Sequence, residues 1–209
     1  MALRQKNRGA LGNFGYSMVE LLVTIAIMAV LMGGSLVSYT LVTRTNVKKA
    51  ASVTDDLLST ARVNAKAKAT STWAVKLDYT EATPTVAIYK GSSTSDSGEE
   101  TSSEKLPKNV ELTVVYYDEY ENATTKKIGS GAGCDADTVR IYYSQLTGGI
   151  DMITCESGGI GNKVVLNGET DESGTVTLKK SGYCDLIFSN NRTYTVRIYL
   201  ATGKQEILE

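Results

Sequence analysis

The chain contains no histidine. Catalysis that relies on an imidazole base is therefore excluded, and so is every metal site that needs an imidazole ligand. Only two prolines stand against 19 glycines in 209 residues, which excludes collagen-like and proline-rich linker architectures. Charge of one sign is not in excess either. The 22 bases and 23 acids leave a net charge of −1, so nothing global points to nucleic acid. A P-loop, a dinucleotide fingerprint and a cysteine-rich zinc spacing are all missing. Residues 129–133 are glycine-rich but lack the Lys-Ser/Thr that phosphate binding needs. No internal repeat is found. No residues can be nominated for an enzyme, and no cofactor is expected.

What is present is a globular composition, with 42% apolar and 22% charged residues. At 209 residues the chain has room for one domain with a core, plus appendages. Charge is unevenly spread. Residues 1–15 hold Arg4, Lys6 and Arg8 and no acid, leaving 19 bases against 23 acids in residues 16–209.

A basic head thus precedes an acidic body, and an apolar segment joins them. Residues 21–43 are 23 residues without a charge. As a helix they span about 34 Å, enough for a bilayer core of about 30 Å. The run exceeds the apolar core of a secretory signal peptide, about 7–15 residues, and Arg44, Lys48 and Lys49 follow it. The bases upstream predict an N-terminus on the cytoplasmic side, with the rest of the chain outside. The bases downstream weaken that asymmetry. Glu20 opens the apolar run. A carboxylate in hydrocarbon costs a few kcal/mol and usually has a function; at the interface it would cost little.

The basic leader, Gly15, the aromatic Tyr16, Glu20 and the apolar helix together resemble the N-terminus of a type IV prepilin. The family pattern is a glycine, usually phenylalanine, three residues, then glutamate; here Tyr16 keeps the aromatic ring. The resemblance covers about 30 of the 209 residues. It implies cleavage between Gly15 and Tyr16 by a prepilin peptidase, then N-methylation of Tyr16. It also implies that Glu20 of one subunit neutralises the Tyr16 amine of a neighbour in a filament. Two charges in low dielectric cost far less paired than single. The implied partners are other pilin or pseudopilin subunits, the peptidase and a membrane assembly platform. The precursor would sit in the cytoplasmic membrane and the assembled form in an extracytoplasmic filament.

Beyond Arg44 the helix becomes amphipathic. Val47, Ala50, Thr54, Leu57, Ala61, Ala65 and Ala69 step by three or four. No proline interrupts residues 16–70, so one helix of about 82 Å is predicted, with Gly33-Gly34 its weak point. After Ser71 the period changes to two. Strands are predicted at 73–79, 85–90, 110–117, 138–144, 150–154, 163–167, 175–179, 186–189 and 193–201. Turns are expected at 146–149, 189–192 and 202–204. Residues 91–105 read as a flexible surface loop.

The fold class is therefore α+β: a long N-terminal helix carrying an antiparallel β head, expected as two packed sheets. The predicted boundaries are 1–15 (leader), 16–43 (membrane and assembly half of the helix), 44–70 (amphipathic half) and 71–209 (head). Residues 55–65 and the ending from Tyr194 to Lys204 resemble minor pseudopilins of the secretion-pathway H/fimbrial T type, which implies a minor subunit.

Cys134, Cys155 and Cys184 leave one thiol over in any pairing. A two-residue turn at Thr147-Gly148 would put Cys155 opposite Arg140, about 20 Å along the strand from Cys134. That disfavours Cys134–Cys155; of the two pairings left a Cys155–Cys184 disulfide is preferred, with three buried free thiols as the alternative. Asp135-Ala136-Asp137 and the acids Glu169, Asp171 and Glu172 lack the calcium-loop spacing and read as polar turns; no metal site is expected. Asn122 and Asn191 match the glycosylation sequon, a pattern that arises often by chance. The competing functional reading is a single-pass anchored β domain that binds a ligand and never assembles, in which Glu20 has no use.

Overall fold

Neither proline falls within residues 18–67, and that stretch forms one α-helix, α1 (Met18–Ala67), in a computed structural model that describes residues 17–68, 71–91, 98–157, 162–170 and 175–209. The helix runs through Gly33-Gly34 without a break, and a side chain at either glycine would meet nothing. The chain divides into two compact units, Met1–Thr40 and Leu41–Glu209.

In the first unit the helix buries none of its described large apolar side chains: Leu22, Ile25, Met28 and Leu31 are all exposed. Its apolar stretch has a mean hydropathy of 2.3, long and apolar enough to cross a membrane.

In the second unit α1 becomes part of a core. Val47, Ala50, Ala51, Thr54, Leu57, Leu58, Ala61 and Ala65 are buried. The predicted face is reproduced as far as it is described, with Ala51 and Leu58 widening it; Ala69 lies outside the described residues. Four of the eight are alanines, which let the helix backbone come close to its neighbours. Thr54 is tolerated there because its hydroxyl donates to the Ala50 carbonyl at 2.8 Å.

Among the described residues thirteen strands follow, all paired antiparallel. β1 (Thr72–Asp78), β2 (Thr85–Gly91), β3 (Glu99–Lys105), β6 (Thr138–Tyr143), β7 (Ile150–Ser157) and β8 (Asn162–Val165) form one sheet in the order β3-β2-β1-β6-β7-β8. β4 (Glu111–Tyr117), β5 (Ala123–Ile128), β11 (Tyr183–Asn190), β12 (Arg192–Tyr199) and β13 (Gln205–Leu208) form the second, β13-β12-β11-β4-β5. β9 (Gly168–Thr170) and β10 (Val176–Leu178) make a small ribbon.

Alternation fixes the inner faces. Trp73, Val75 and Leu77 of the first sheet and Leu112, Val114, Leu186, Phe188, Val196 and Ile198 of the second join the buried helix residues in one cluster. Full burial of each such side chain contributes about 1.5–3 kcal/mol. On the opposite face of the second sheet, Asp185 takes Arg197 through two hydrogen bonds of 2.8 Å. The Arg197 guanidinium lies 4.1 Å from the centre of the Tyr183 ring, which stacks on Tyr117. The Asp185 carboxylate raises the Arg197 pKa still further, chiefly through these hydrogen bonds.

Two joints tie the pieces together. The Ile150 N–H donates to the Leu200 carbonyl at 2.7 Å, linking the sheets. Asn167, fully buried between β8 and β9, accepts the Ile153 N–H at 2.9 Å and donates to the carbonyls of Asp151 at 3.1 Å and Lys179 at 3.0 Å. Gly203 closes the β12–β13 turn at φ 63°, and a side chain there would run into the Gly148 carbonyl oxygen. Only glycine meets both demands without strain.

Three sequence expectations change. Residues 91–105 are not one loop: Gly91 ends β2 and 99–105 are strand β3, paired to β2. All seven side chains of β3 are exposed, so no apolar alternation marks it. The β6–β7 connection is longer than two residues and carries a bulge at Tyr142/Tyr143, which puts Cys155 opposite Val139 rather than Arg140. Strands β5, β9 and β13 were not among those predicted. β5 and β13 are edge strands with at most one buried side chain.

Candidate processing and assembly site

The helix begins where a serine hydroxyl satisfies one of its free donors. Ser17 precedes α1, and its Oγ accepts the Glu20 N–H at 3.1 Å, while its carbonyl accepts the Leu21 N–H at 3.1 Å. Ser17 is therefore the N-cap and Glu20 the third helical residue, the Ser-x-x-Glu spacing of a capping box. A carboxylate in the first turn is also favoured by the partial positive charge of the helix N-terminus. The sequence reading passed over Ser17; its signal was a serine three residues ahead of a glutamate, just before an apolar run.

Glu20 is exposed, and so are Leu21, Leu22 and Ile25 beyond it. The carboxylate thus stands at the edge of an apolar surface, with no described side chain covering it. Thr24, the one hydroxyl in the next turn, is tied to the Leu21 carbonyl at 2.8 Å, which leaves that turn apolar. Gly15 and Tyr16 lie outside the described residues. In sequence the bond between them falls just before the cap, so a cut there would leave a free amine one residue ahead of the capped helix.

The other candidate residues of the sequence do not gather at this site. All three cysteines are free thiols: Cys134 is exposed, and Cys155 and Cys184 are buried. No disulfide joins Cys155 to Cys184. They sit on different sheets, Cys155 opposite Val139 and Val164, Cys184 opposite Tyr116 and Ile198. Burial pushes the Cys155 thiol up to about 12 and the Cys184 thiol well above its usual range, with Cys155 a smaller contributor to the latter. Both therefore stay protonated and unreactive at neutral pH. At pH 8, iodoacetamide is expected to modify one thiol in the folded chain and three after denaturation without reductant. A single modification after denaturation would reveal a Cys155–Cys184 bond.

Among the described residues no group of three or more acids and cysteines could hold a metal ion. Asp135 is used internally, accepting the Lys127 N–H at 2.8 Å. Asp171 and Glu172 lie outside the described residues. Of the two sequon asparagines, Asn122 is bound to the Asp118 carboxylate at 3.0 Å and Asn191 forms the β11–β12 turn at φ 49°.

Residues 12–36 match the family described as the prokaryotic N-terminal methylation motif, the prepilin signature of type IV pilins. The match brackets Gly15, Tyr16, Ser17 and Glu20. No curated protein and no solved structure matches the chain.

Proposed function

We propose that this chain, which carries the prepilin signature of type IV pilins, is a structural subunit of the minor class in a type IV pilus or a type II secretion-like filament. The observation that carries the reading is the methylation motif at residues 12–36 running directly into an exposed apolar helix. A prepilin peptidase cleaves between Gly15 and Tyr16, Tyr16 is N-methylated, and Glu20 pairs with the Tyr16 ammonium of the next subunit. Glycine suits the junction because its missing side chain lets the backbone enter a tight protease site. The precursor is held in the cytoplasmic membrane with its N-terminus inside. The assembly platform then lifts the apolar helix into the filament centre, with the head outside. The role is structural, without catalysis or cofactor.

Intact-mass measurement tests the first step. In cells with active prepilin peptidase the protein should begin at N-methylated Tyr16, with residues 1–15 removed. Membrane material that keeps residues 1–15 in such cells would refute it.

One observation favours a second reading. With Ser17 as cap on the Glu20 N–H, the Ser-x-x-Glu spacing would give the Glu20 side chain a local task, closing the helix start, that needs no neighbouring subunit. On that reading the helix is an ordinary anchor for an extracytoplasmic β domain. The charge of Glu20, rather than its shape, separates the two.

A further inference from the structure

The three bases that follow the apolar run have no place in the assembly scheme above. Arg44, Lys48 and Lys49 are all exposed. Among the described residues none of them forms an ion pair. On the helix they lie away from the stripe of Thr43, Val47, Ala50 and Ala51 that is buried in the second unit. The same turns of helix thus bury one side in the head and present three ammonium or guanidinium groups on the other.

Their height is set by the segment before them. If residues 21–43 cross the hydrocarbon, Arg44 is the first residue out of it. Residues 44–49 then cover about 9 Å along the helix axis. The headgroup layer on each side of a bilayer is about 5–8 Å thick. The bases therefore fall at the level of the lipid phosphates.

Charge decides which part of the chain is drawn to such a surface. Residues 50–209 hold 16 bases and 22 acids, so they carry −6 and are repelled as a whole by an anionic leaflet. The net attraction on that side of the membrane is therefore assigned to Arg44, Lys48 and Lys49.

We propose that Arg44, Lys48 and Lys49 form a basic collar that binds anionic phospholipid headgroups in the leaflet facing the head, and so retains the unassembled subunit in the membrane. This rests on the reading of residues 21–43 as a membrane span. The collar lies on the leaflet opposite the leader bases Arg4, Lys6 and Arg8, and it remains after the leader is removed. Extraction into a filament has to break its lipid contacts, which makes release from the membrane dependent on lipid charge and on salt.

The test uses the full chain reconstituted in phosphatidylcholine bilayers containing spin-labelled phosphatidylglycerol or spin-labelled phosphatidylcholine. Electron paramagnetic resonance reads the fraction of each label held against the protein. Each base at an anionic surface contributes about fivefold to binding. The parent should hold phosphatidylglycerol severalfold more than phosphatidylcholine. R44Q/K48Q/K49Q should lose roughly half of that preference, the collar's share, and the parent in about 0.5 M salt should lose most of it. The leader bases are present in both chains and cancel in the comparison. Equal preference in parent and triple variant would overturn the collar. Flotation in alkaline carbonate checks the span separately: a chain that leaves the bilayer there overturns the span and the collar together, whereas a chain that stays without lipid preference overturns the collar alone.

Discussion

Glu20→Ala is expected to cut incorporation into filaments by a factor of some hundreds or more, while membrane insertion and leader cleavage survive. Insertion survives because the change removes a carboxylate from the edge of hydrocarbon. Cleavage survives because Gly15 is untouched. Assembly fails because the neighbour's Tyr16 ammonium enters the filament core without a counter-charge, at a cost of about 3–5 kcal/mol.

The Ser17 cap complicates that one substitution, because alanine also removes a first-turn carboxylate at capping-box spacing, worth about 0.3–1 kcal/mol. Glu20→Gln resolves it. Glutamine serves as well as glutamate at the third helical position of a capping box but carries no charge. If charge pairing governs assembly, Glu20→Gln should fail almost as badly as Glu20→Ala. Glu20→Asp, which keeps the charge with a shorter reach, should fall between them and the parent. The comparison needs shear-released filaments and membranes from the same cells, probed for this chain. Normal assembly of Glu20→Gln would assign Glu20 to the helix cap and restore the anchored-domain reading.

Asn167→Ala should be the most damaging small substitution in the head. The side chain satisfies one buried N–H and two carbonyls on strands distant in sequence. Alanine leaves Ile153 N–H without an acceptor in a fully buried place. A stranded buried donor costs about 1–3 kcal/mol, and two carbonyls lose their donor besides. A loss of about 3 kcal/mol should lower the melting temperature by about 6–12 °C for a chain of this size. Asn167→Asp keeps the acceptor for Ile153 but turns a carboxylate toward the two carbonyls, so at neutral pH it should lose at least as much. Near-ultraviolet circular dichroism of the detergent-solubilised chain would follow the loss of tyrosine packing. A melting point within 2 °C of the parent for both variants would show that Asn167 does not hold the strands together.

The parts of the fold that were legible in the sequence are those that bury one face. Val75 and Leu77, Leu112 and Val114, and Val196 and Ile198 alternate because their strands have an inside and an outside, and that alternation reads directly. β3, β5 and β13 escaped because an edge strand is held by backbone pairing, which leaves no mark on side-chain order. Glu99–Lys105, with seven exposed polar residues, is the plainest case. The bulge at Tyr142/Tyr143 escaped for a related reason: one extra residue shifts the register without changing the composition. At the N-terminus, Glu20 stood out because a charge among apolar residues is conspicuous. Ser17 did not, since a serine beside a membrane segment is unremarkable until its hydroxyl is seen on the Glu20 amide.

The buried stripe of α1 has a mechanical consequence. The chain enters its second compact unit at Leu41 already helical, and its core contacts run from Val47 to Ala65. That is about 27 Å along the helix axis. Tension applied along this axis where the helix enters the unit makes the contacts slide together rather than open one after another. β13, by contrast, is a four-residue edge strand near the C-terminus, and a pull there frees one residue pair at a time. The domain is thus built to bear load from its N-terminal side, and single-molecule pulling from that side should rupture it at a higher force than pulling from the C-terminus.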